Sequence, residues 1–278
     1  MPLFKRKNTH YIKIQHLRFE KYNKRNKLFD TIVILSGREM GRWQRYHSNI
    51  KIIPNFLPTI PQVATNHSQK VVLSVGRMSS EKGFLRLLDI WKMVQTKIMD
   101  CHESLRASRN DNMANDLREW KLIIVGDGVL KSEIESKIHA LNLGESVLLK
   151  PFTKDIEREY LSASIYAMAS HFEGFPMVLL ESTAYGLAPI SFDIATWPSD
   201  IIENNKSGFL IADNDLQGYA DKLIALMRDE SMRKRFGSET KRIVSERFSK
   251  EAIIKLWKKL LVDRWIINTK LEKFWFYV

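Results

Sequence analysis

The chain has 278 residues, of which 44% are apolar and 27% are charged, as in an ordinary globular protein and unlike a disordered or collagen-like chain. No apolar run approaches the roughly 18 residues of a membrane span, and no signal-peptide core follows the basic start. The single cysteine, Cys101, excludes an internal disulfide and a cysteine-based metal site. We therefore predict a folded cytoplasmic protein.

The net charge of +12 is concentrated at the two ends of the chain. Residues 1–51 carry 13 Lys and Arg against 3 acidic residues, and residues 247–278 carry 8 against 3. Residues 52–246 are slightly acidic, with 23 basic and 26 acidic residues. This distribution indicates a globular body with separate basic surfaces for an anionic partner. Membrane phosphates and nucleic acid are both candidates for that partner.

The N-terminal part predicts only a few regular elements. Its pattern favours a basic helix over 14–28, a strand over 31–35, a helix over 39–46 and a strand over 50–53. Two strands cannot close an independent core, so residues 1–53 are interpreted as the last part of a larger first domain. Residues 54–69 contain three prolines and predict a linker.

Beyond the linker, short apolar runs alternate with amphipathic stretches, which is typical of a parallel α/β sheet. Strands are predicted over 71–75, 121–125, 147–150, 164–169, 188–192 and 209–212. Helices are predicted over 82–99, 130–141, 177–185, 216–228 and 232–247, with a polar surface insertion over 100–119. Residues 70–247 are therefore predicted to form one doubly wound, Rossmann-like domain. A further amphipathic helix over 250–265 and an aromatic tail make up the C-terminal segment, 248–278.

One candidate anion site is the turn from Gly76 to Gly83, which follows a strand and opens a helix. In a parallel sheet this turn lies at the carboxyl edge, where ligands bind. Arg77 and Lys82 place two cations beside the start of the helix, an arrangement that suits a diphosphate. A turn of this kind is, by itself, more often an ordinary solvated loop.

The second candidate is the loop after the 164–169 strand, with the helix that it opens. Pro176 suits a first helical turn, so the amides of the next three residues are expected to be unpaired and to face an anion. Glu173 is expected in an exposed loop, and Glu181 one to two turns into the helix. These carboxylates could accept hydrogen bonds from the hydroxyls of a sugar nucleotide, or could simply be a helix cap and a surface residue. The candidate donor-binding residues here are Gly174, Phe175, Pro176, Met177, Val178, Leu179 and Glu181.

With these motifs in order, residues 52–247 resemble the C-terminal, nucleotide-sugar-binding domain of the retaining glycosyltransferases of family 4, which have the two-domain GT-B fold. The resemblance also covers other short motifs along the chain. They are Ile53-Pro54-Asn55, Val125-Gly126-Asp127-Gly128, Ser170, Gly186 to Ile190, Ile201-Ile202 and Gly208-Phe209-Leu210. It implies an α/β fold in which a doubly wound, GT-B-type half is preceded by the remnant of a first Rossmann-like domain.

The resemblance also implies roles for individual residues. Gly76, Arg77 and Lys82 would hold the donor diphosphate, Glu173 would contact the transferred sugar, and Glu181 would bind the ribose. Glu173, Arg77 and Lys82 are the predicted catalytic residues, and no metal or other cofactor is implied. The chain departs from the family at Ala169, at Ser182-Thr183, at Asp200 and, most seriously, in the shortness of the first domain.

The leading hypothesis is a glycosyltransferase, or its donor-binding half, which moves a hexose from a nucleoside diphosphate sugar to a lipid-linked or polysaccharide acceptor with retention. Three alternatives stay open: a catalytically inactive remnant that binds nucleotide, a sugar-nucleotide epimerase, and a basic nucleic-acid-binding protein. The last is disfavoured because the charge avoids residues 70–247 and no nucleic-acid-reading motif occurs. We therefore predict no nucleic-acid partner.

The basic ends predict a further partner. Lys21, Lys24, Arg25 and Lys27 lie in the predicted basic helix, and residues 274–278 are an aromatic run beside Lys270 and Lys273. Anionic lipid attracts nearby Lys and Arg, and aromatic residues favour the membrane interface. We expect peripheral attachment to the inner face of a membrane, with the 250–265 helix packed on the first domain.

Overall fold

A computed structural model describes residues 9–16, 19, 21–106, 117–195, 197–267 and 273–277. Two sheets, both with parallel strands only, organise these residues. The smaller sheet has the strand order β10-β1-β2-β3 and the larger has the order β6-β5-β4-β7-β8-β9. None of the helices searched in the described residues is long and apolar enough to cross a membrane.

The smaller sheet consists of β1 (Thr9–Gln15), β2 (Thr31–Ile34), β3 (Ile50–Ile52) and β10 (Lys273–Tyr277). The short helix α1 (Met40–Gln44) connects β2 to β3. Ile12 pairs with Thr31, and Ile32 pairs with Ile50. The sheet therefore joins the two ends of the described chain.

The predicted basic helix over 14–28 is wrong. Its first residues belong to β1, and the remaining regular structure is a 3₁₀ turn over Lys24–Leu28. Polar Lys13 lies between the β-branched residues Ile12 and Ile14, and this alternation favours a strand. Asn23 caps the 3₁₀ turn by accepting a hydrogen bond from the Arg25 amide at 2.9 Å.

The larger sheet is doubly wound. Its strands are β4 (Val71–Val75), β5 (Lys121–Val125), β6 (Val147–Lys150), β7 (Ile165–Met168), β8 (Ala188–Asp193) and β9 (Phe209–Ala212). Strand order reverses between β4 and β7, and a crevice forms at such a switch point, outside the carboxyl ends of the strands. The fold thus brings the two candidate loops, which follow β4 and β7, to one place.

Helices cover both faces of this sheet. They are α2 (Phe84–Arg106), α3 (Lys131–Ala140), α4 (Ile156–Leu161), α5 (Met177–Ala184), α6 (Pro198–Ile201), α7 (Leu216–Arg228) and α8 (Glu230–Arg247). Val72 belongs to one core cluster and Leu73 to the other, and both are fully buried. Half of the predicted 100–119 insertion, residues 107–116, lies outside the described residues, and α2 extends into its first part. The short helices α4 and α6 were not predicted.

The C-terminal segment returns to the smaller sheet. In helix α9 (Lys250–Ile267), Ile253 and Leu260 are buried with Ile12, Val33 and Ile53. The expected packing of this helix on the first domain agrees with these contacts. The aromatic tail, in contrast, is not a free anchor, because β10 pairs with β1 from Thr9 opposite Lys273 to Lys13 opposite Tyr277. Val278 lies outside the described residues.

Polar contacts join the turn after β2 to the loop after β8. Ser36 Oγ donates a hydrogen bond to Asp200 Oδ2 at 2.5 Å. Arg38 forms an ion pair with Asp193 at 2.8 Å and donates to the Ile194 carbonyl at 3.1 Å. The smaller sheet is therefore fixed to the larger one close to the crevice.

Candidate active site

A cleft of about 590 Å³ opens at the carboxyl edge of the larger sheet. Loops after β4, β5 and β6 and two helices, α4 and α5, form its wall. The lining residues are Val75, Gly76, Arg77, Val125, Gly126, Asp127, Phe152, Thr153, Lys154, Ile156, Tyr160, Val178 and Glu181. The cleft is large enough for a small organic ligand.

Close backbone packing shapes the floor of this cleft. Gly126 has φ of +149°, and a Cβ at this position would lie 1.9 Å from the carbonyl oxygen of Gly76. Only glycine permits this approach. Asp127, the next residue, accepts a hydrogen bond from the Phe152 amide at 2.8 Å, and this bond holds the pKa of its carboxyl below the usual value. Asp127 thus supports the loop that carries Phe152.

Lys82 and Glu173 are brought together across the switch point. Lys82 Nζ lies 2.8 Å from each carboxylate oxygen of Glu173, and Ser170 Oγ donates to Glu173 Oε1 at 2.6 Å. Glu173 is only 4% exposed. The expectation that it lies in an exposed loop is therefore wrong, because Lys82 and Ser170 satisfy its charge in a buried position.

This ion pair lies beside the cleft. A Cβ on Gly76 would approach the Lys82 side chain at 3.4 Å, so the lysine stem runs along the Gly76 wall. Neither Lys82 nor Glu173 belongs to the lining of the cleft as the described residues define it. Arg77, by contrast, does line the cleft, is exposed and has no ion pair in the described part of the chain. The two predicted cations therefore differ in their partners. Lys82 forms an ion pair with Glu173, whereas Arg77 forms none with the described residues.

The start of α5 differs from its predicted form. Pro176 is the N-cap residue, and the amides of Met177 and Leu179 donate to the carbonyls of Phe175 and Pro176 at 2.9 and 3.0 Å. The prediction of three unpaired amides is wrong, because the tight turn at Phe175-Pro176 uses two of them. Among these three, only Val178 lines the cleft and has no backbone acceptor within the described chain.

Other predicted donor residues have mainly structural surroundings. The rings of Phe175 and Trp197 pack edge to face, with their centroids 4.2 Å apart. Gly174, Phe175, Pro176, Met177 and Leu179 do not belong to the lining that the described residues provide. They lie in the loop after β7 and in the first turn of α5.

Glu181 lies in the wall of the cleft, one helical turn beyond Val178. Tyr160 donates its hydroxyl hydrogen bond to Glu181 Oε2 at 3.0 Å. Burial raises the pKa of the Glu181 carboxyl, and the Tyr160 hydrogen bond opposes this rise. Its other carboxylate oxygen has no hydrogen bond within the described chain, so this side chain offers an acceptor to a ligand.

Sequence reasoning missed a group of lining residues. Phe152, Thr153 and Lys154 follow β6, while Ile156 and Tyr160 belong to the unpredicted helix α4. No motif marks them. Their only signal is position, since they follow the carboxyl end of a strand that neighbours β5 in the doubly wound order.

Asp213-Asn214-Asp215 has the spacing of an Asp-x-Asp triplet, a motif that can bind a metal ion. Asp213 pairs with Arg86 at 2.8 Å, and Asp215 caps α7 by accepting from the Gly218 amide at 2.8 Å. Both carboxylates are therefore engaged in protein contacts. No group of three His, Cys, Asp or Glu residues suited to a metal occurs among the residues described.

The strand order and the cleft at the switch point define a doubly wound α/β protein, and solved structures identify its type as GT-B. One is S. aureus TarM, as a variant in complex with fondaparinux, alpha-GlcNAc-glycerol and UDP. It superposes with a TM-score of 0.75 at 23% identity, over 91% of this chain and 51% of that one. The lipopolysaccharide outer core galactosyltransferase WaaB superposes with a TM-score of 0.70 at 20% identity, over 90% of this chain and 67% of that one.

The chain belongs to the family of group 1 glycosyl transferases, whose model matches residues 58–243. The amylovoran biosynthesis glycosyltransferase AmsD of Erwinia amylovora is 32% identical over 243 residues, which are 84% of this chain and 62% of that protein. The poly(ribitol-phosphate) alpha-N-acetylglucosaminyltransferase of Staphylococcus aureus is 27% identical over 236 residues, 84% of this chain and 44% of that protein. The chain thus spans less than two thirds of the length of these relatives.

Proposed function

We propose that this chain transfers a hexose from a nucleoside diphosphate sugar to a lipid-linked or polysaccharide acceptor, with retention and without a metal ion, as in glycosyltransferase family 4. The observation that carries the proposal is the free Arg77 in the cleft, next to the Lys82–Glu173 pair at the switch point. An unpaired guanidinium in a cleft of this size is suited to bind a diphosphate.

We propose one orientation for the donor in the cleft. Arg77 and Lys82 attract the diphosphate, and Lys82 has a third N–H beyond the two that Glu173 accepts. Glu181 then lies where it can accept a hydrogen bond from a ribose hydroxyl, with the base towards Phe152 and Lys154. Glu173 remains near the diphosphate end, where the transferred sugar is held.

In the proposed reaction the bond between the anomeric carbon and the diphosphate breaks, and a bond to an acceptor oxygen forms. The proton of the acceptor hydroxyl passes to a phosphate oxygen of the leaving diphosphate or from there to solvent, and the electron pair of the broken bond leaves with the diphosphate. Arg77 and Lys82 lie near the negative charge that develops on this oxygen and stabilise it. We propose that these cations take the place of a metal, so that nucleotide binding persists in the presence of a chelator.

The names of three relatives support the proposed class of acceptor. One relative takes part in amylovoran biosynthesis, one acts on poly(ribitol-phosphate), and a third on a sugar linked to diphospho-undecaprenol. These acceptors are polymers or lipid-linked glycans. We extend that class to this chain, which shares with them the segment that contains the cleft.

We also propose peripheral attachment to an anionic membrane through the smaller sheet. Tyr22 and Tyr46 stack at 4.6 Å, and next to them lie exposed cations with no ion pair in the described chain. These are Lys21, Lys24, Arg25, Lys27, Arg42 and Arg45. The aromatic tail forms strand β10, whose backbone pairs with β1. The proposed attachment therefore depends on these cations and not on a free tail. It would hold the protein next to a lipid-linked acceptor.

A second candidate is a nucleotide-sugar-binding protein without turnover, which is favoured by the position of Glu173, because this residue is 4% exposed and does not line the cleft among the described residues. The test measures the melting temperature of the chain in the presence of UDP, GDP and ADP sugars. A transfer assay follows. A donor at about 100 times its Kd stabilises the fold by about 2.7 kcal/mol. Stabilisation by one donor class, lost in Arg77→Ala, supports the donor site, while no stabilisation by any donor overturns it.

The transfer assay separates the two candidates. We expect little or no turnover by the 278-residue chain alone, because the acceptor side of the crevice is small. Robust transfer would remove the non-catalytic candidate. Donor binding without transfer by the chain alone, and transfer after the first domain of a related glycosyltransferase is added, would show that the chain acts as the donor half of an enzyme.

A further inference from the structure

Arg86, in the first turn of α2, connects two loops at the carboxyl edge of the larger sheet. It is 7% exposed. Its Nε donates to the Ala169 carbonyl at 2.6 Å, and its Nη2 donates to the Ser170 carbonyl. On the other side, its Nη1 donates to Asp213 at 2.8 Å and to Asn214 at 3.0 Å. Every nitrogen of the guanidinium therefore has a partner.

The bonded carbonyls lead directly to the ion pair of the site. Ser170, whose carbonyl Arg86 holds, donates its hydroxyl hydrogen bond to Glu173 Oε1, and Glu173 in turn pairs with Lys82. Arg86 is thus connected to the catalytic candidates through one intermediate residue. The close contact between Gly83 and the Ala169 carbonyl reinforces the same arrangement, because a Cβ on Gly83 would lie 1.9 Å from that oxygen.

The geometry requires an arginine. The planar guanidinium donates in several fixed directions at once, and its face lies 4.1 Å from the centre of the Phe192 ring. A lysine ammonium is a point charge that cannot reach both loops with the same directions. A buried charge seldom adds net stability over an apolar side chain of similar volume. Its presence here is explained better by exact placement of the 169–173 loop than by stabilisation of the core.

We infer that Arg86 is a positioning residue of the donor site, which holds Ser170 and thereby Glu173 in the place where Glu173 meets Lys82. This inference rests on the proposed function. It predicts that loss of Arg86 changes nucleotide binding in folded protein, and does so through Ser170. A purely structural arginine would change the melting temperature alone.

Arg233 provides a matched control. It is 5% exposed, donates to the carbonyls of Leu226, Met227 and His67, and lies 5.0 Å from the centre of the Trp120 ring. Arg233 is therefore also a buried arginine that binds backbone carbonyls, and these partners do not line the cleft in the described part of the chain. The experiment compares Arg86→Gln and Arg86→Lys with Arg233→Gln and Arg233→Lys.

For each variant, the melting temperature and the Kd of the nucleoside diphosphate that the wild type binds most tightly are measured at a temperature where all variants are folded. We expect both pairs to lower the melting temperature. Only the Arg86 variants should weaken nucleotide binding, by about tenfold, which corresponds to about 1.4 kcal/mol. Equal Kd values for the Arg86 variants and the wild type would overturn the inference, as would an equal loss of affinity in the Arg233 variants.

Two further variants keep the test decisive if the Arg86 variants do not fold. Asp213→Asn removes the charge that Arg86 pairs with in the neighbouring loop and leaves the core intact, because the Asp213 side chain is 40% exposed. Asp213→Asn should weaken nucleotide binding by about threefold. When it is combined with Ser170→Ala, the loss of affinity should be less than the sum of the two single losses, because both substitutions act on the 169–173 loop. Additive effects, or none, would contradict the route through Ser170.

The failure of this inference is distinct from the failure of the proposed function. If the wild type binds no nucleoside diphosphate, the proposed function fails and the role of Arg86 with it. If the wild type binds one and the Arg86 and Asp213 variants bind it equally well, only the inference fails.

Discussion

The charged residues of the two sheets are arranged in opposite ways. At the carboxyl edge of the larger sheet, Lys82, Glu173 and Arg86 are held in defined geometry by buried partners. On the smaller sheet, Lys21, Lys24, Arg25, Lys27, Arg42 and Arg45 are exposed and have no ion pair in the described residues. The first region fixes these three charges, although Arg77 at the same edge is exposed, and the second region leaves its cations in solvent.

This difference separates two kinds of electrostatic work. Fixed charges in a partly buried site act over one or two contacts and are only weakly screened by salt. Exposed cations act over about one Debye length, roughly 8 Å at physiological salt, and their effect falls as salt rises. The larger sheet therefore suits the proposed donor site, and the smaller one suits the proposed attachment to a membrane.

The largest effect is expected at Glu173, the most buried charge of the site. Glu173→Ala should abolish transfer and also lower stability, because Lys82 and Ser170 lose their partner; an interrupted buried pair costs about 3–5 kcal/mol, and less here since Lys82 is 23% exposed. Glu173→Gln should also stop transfer and bind free nucleoside diphosphate more weakly, because the neutral amide no longer fixes the position of the Lys82 ammonium. Calorimetric titration of both variants tests this. Tighter diphosphate binding by the glutamine variant would show that Glu173 competes with the diphosphate for Lys82 and does not orient it.

The next effect concerns the two cations, which differ in their surroundings. Arg77→Ala and Lys82→Ala should each weaken nucleoside diphosphate binding by about 1.5–3 kcal/mol, the range for hydrogen bonds to charged groups. Only Lys82→Ala should also lower the melting temperature, since it leaves Glu173 buried without its cation. Paired measurements of Kd and melting temperature distinguish them. If neither variant changes the affinity, the anion site lies elsewhere.

A smaller effect is expected from the protonation of Glu181. Burial raises the pKa of this carboxyl above its value in the unfolded chain. The folded state therefore binds the proton more strongly, and the resulting stability is present at low pH and is lost as the pH rises through the raised pKa. Unfolding titrations across pH 4 to 8 should show this loss in the wild type and not in Glu181→Gln. Identical pH profiles would mean that the carboxyl is not desolvated.

Donor binding should have the opposite pH dependence at the same residue. The charged carboxylate is the better acceptor for a ribose hydroxyl, so affinity should fall as the pH drops through the raised pKa of Glu181. The Kd of the nucleotide, measured over the same pH range, checks this. In Glu181→Gln this pH dependence should disappear.

The smallest effect on stability is expected on the smaller sheet. Replacing Lys21, Arg42 and Arg45 with Gln should change stability by no more than about 0.5 kcal/mol, because these residues have no partner to lose. The same variant should lose its salt-sensitive binding to phosphatidylglycerol vesicles. A control variant at Lys255, Lys258 and Lys259, three cations of α9, should retain more of that binding. If the wild type does not bind these vesicles even at low salt, the attachment proposal fails.

Local pattern predicted much of the larger sheet. Strands that are buried on both faces appear in the sequence as short apolar runs, such as Val71–Val75. The candidate binding loops follow the carboxyl ends of these strands. The pairing of Lys82 with Glu173 could not be read in the same way, because the two residues are 91 positions apart and only the fold joins them. The role of Arg86 is hidden for the same reason, since its partners lie in two other loops.

The errors at the ends of the chain have a related cause. The cluster of cations after Ile14 favours a helix by composition. The alternation of apolar and polar residues from Ile12 to Ile14 favours the strand that the structure contains. The aromatic tail fits a membrane interface and a β-strand equally well by composition. Its pairing with β1 is a contact across nearly the whole chain, for which no local signal exists.

The pairing of β1 with β10 also sets an order on synthesis. The ribosome makes β1 among the first described residues, but its neighbour at Lys273 leaves the exit tunnel only after the whole larger sheet has been made. During translation β1 therefore waits with one edge open, and domains generally fold as they emerge. The larger sheet should fold first, and the smaller sheet, although it begins the chain, should be the last part to close.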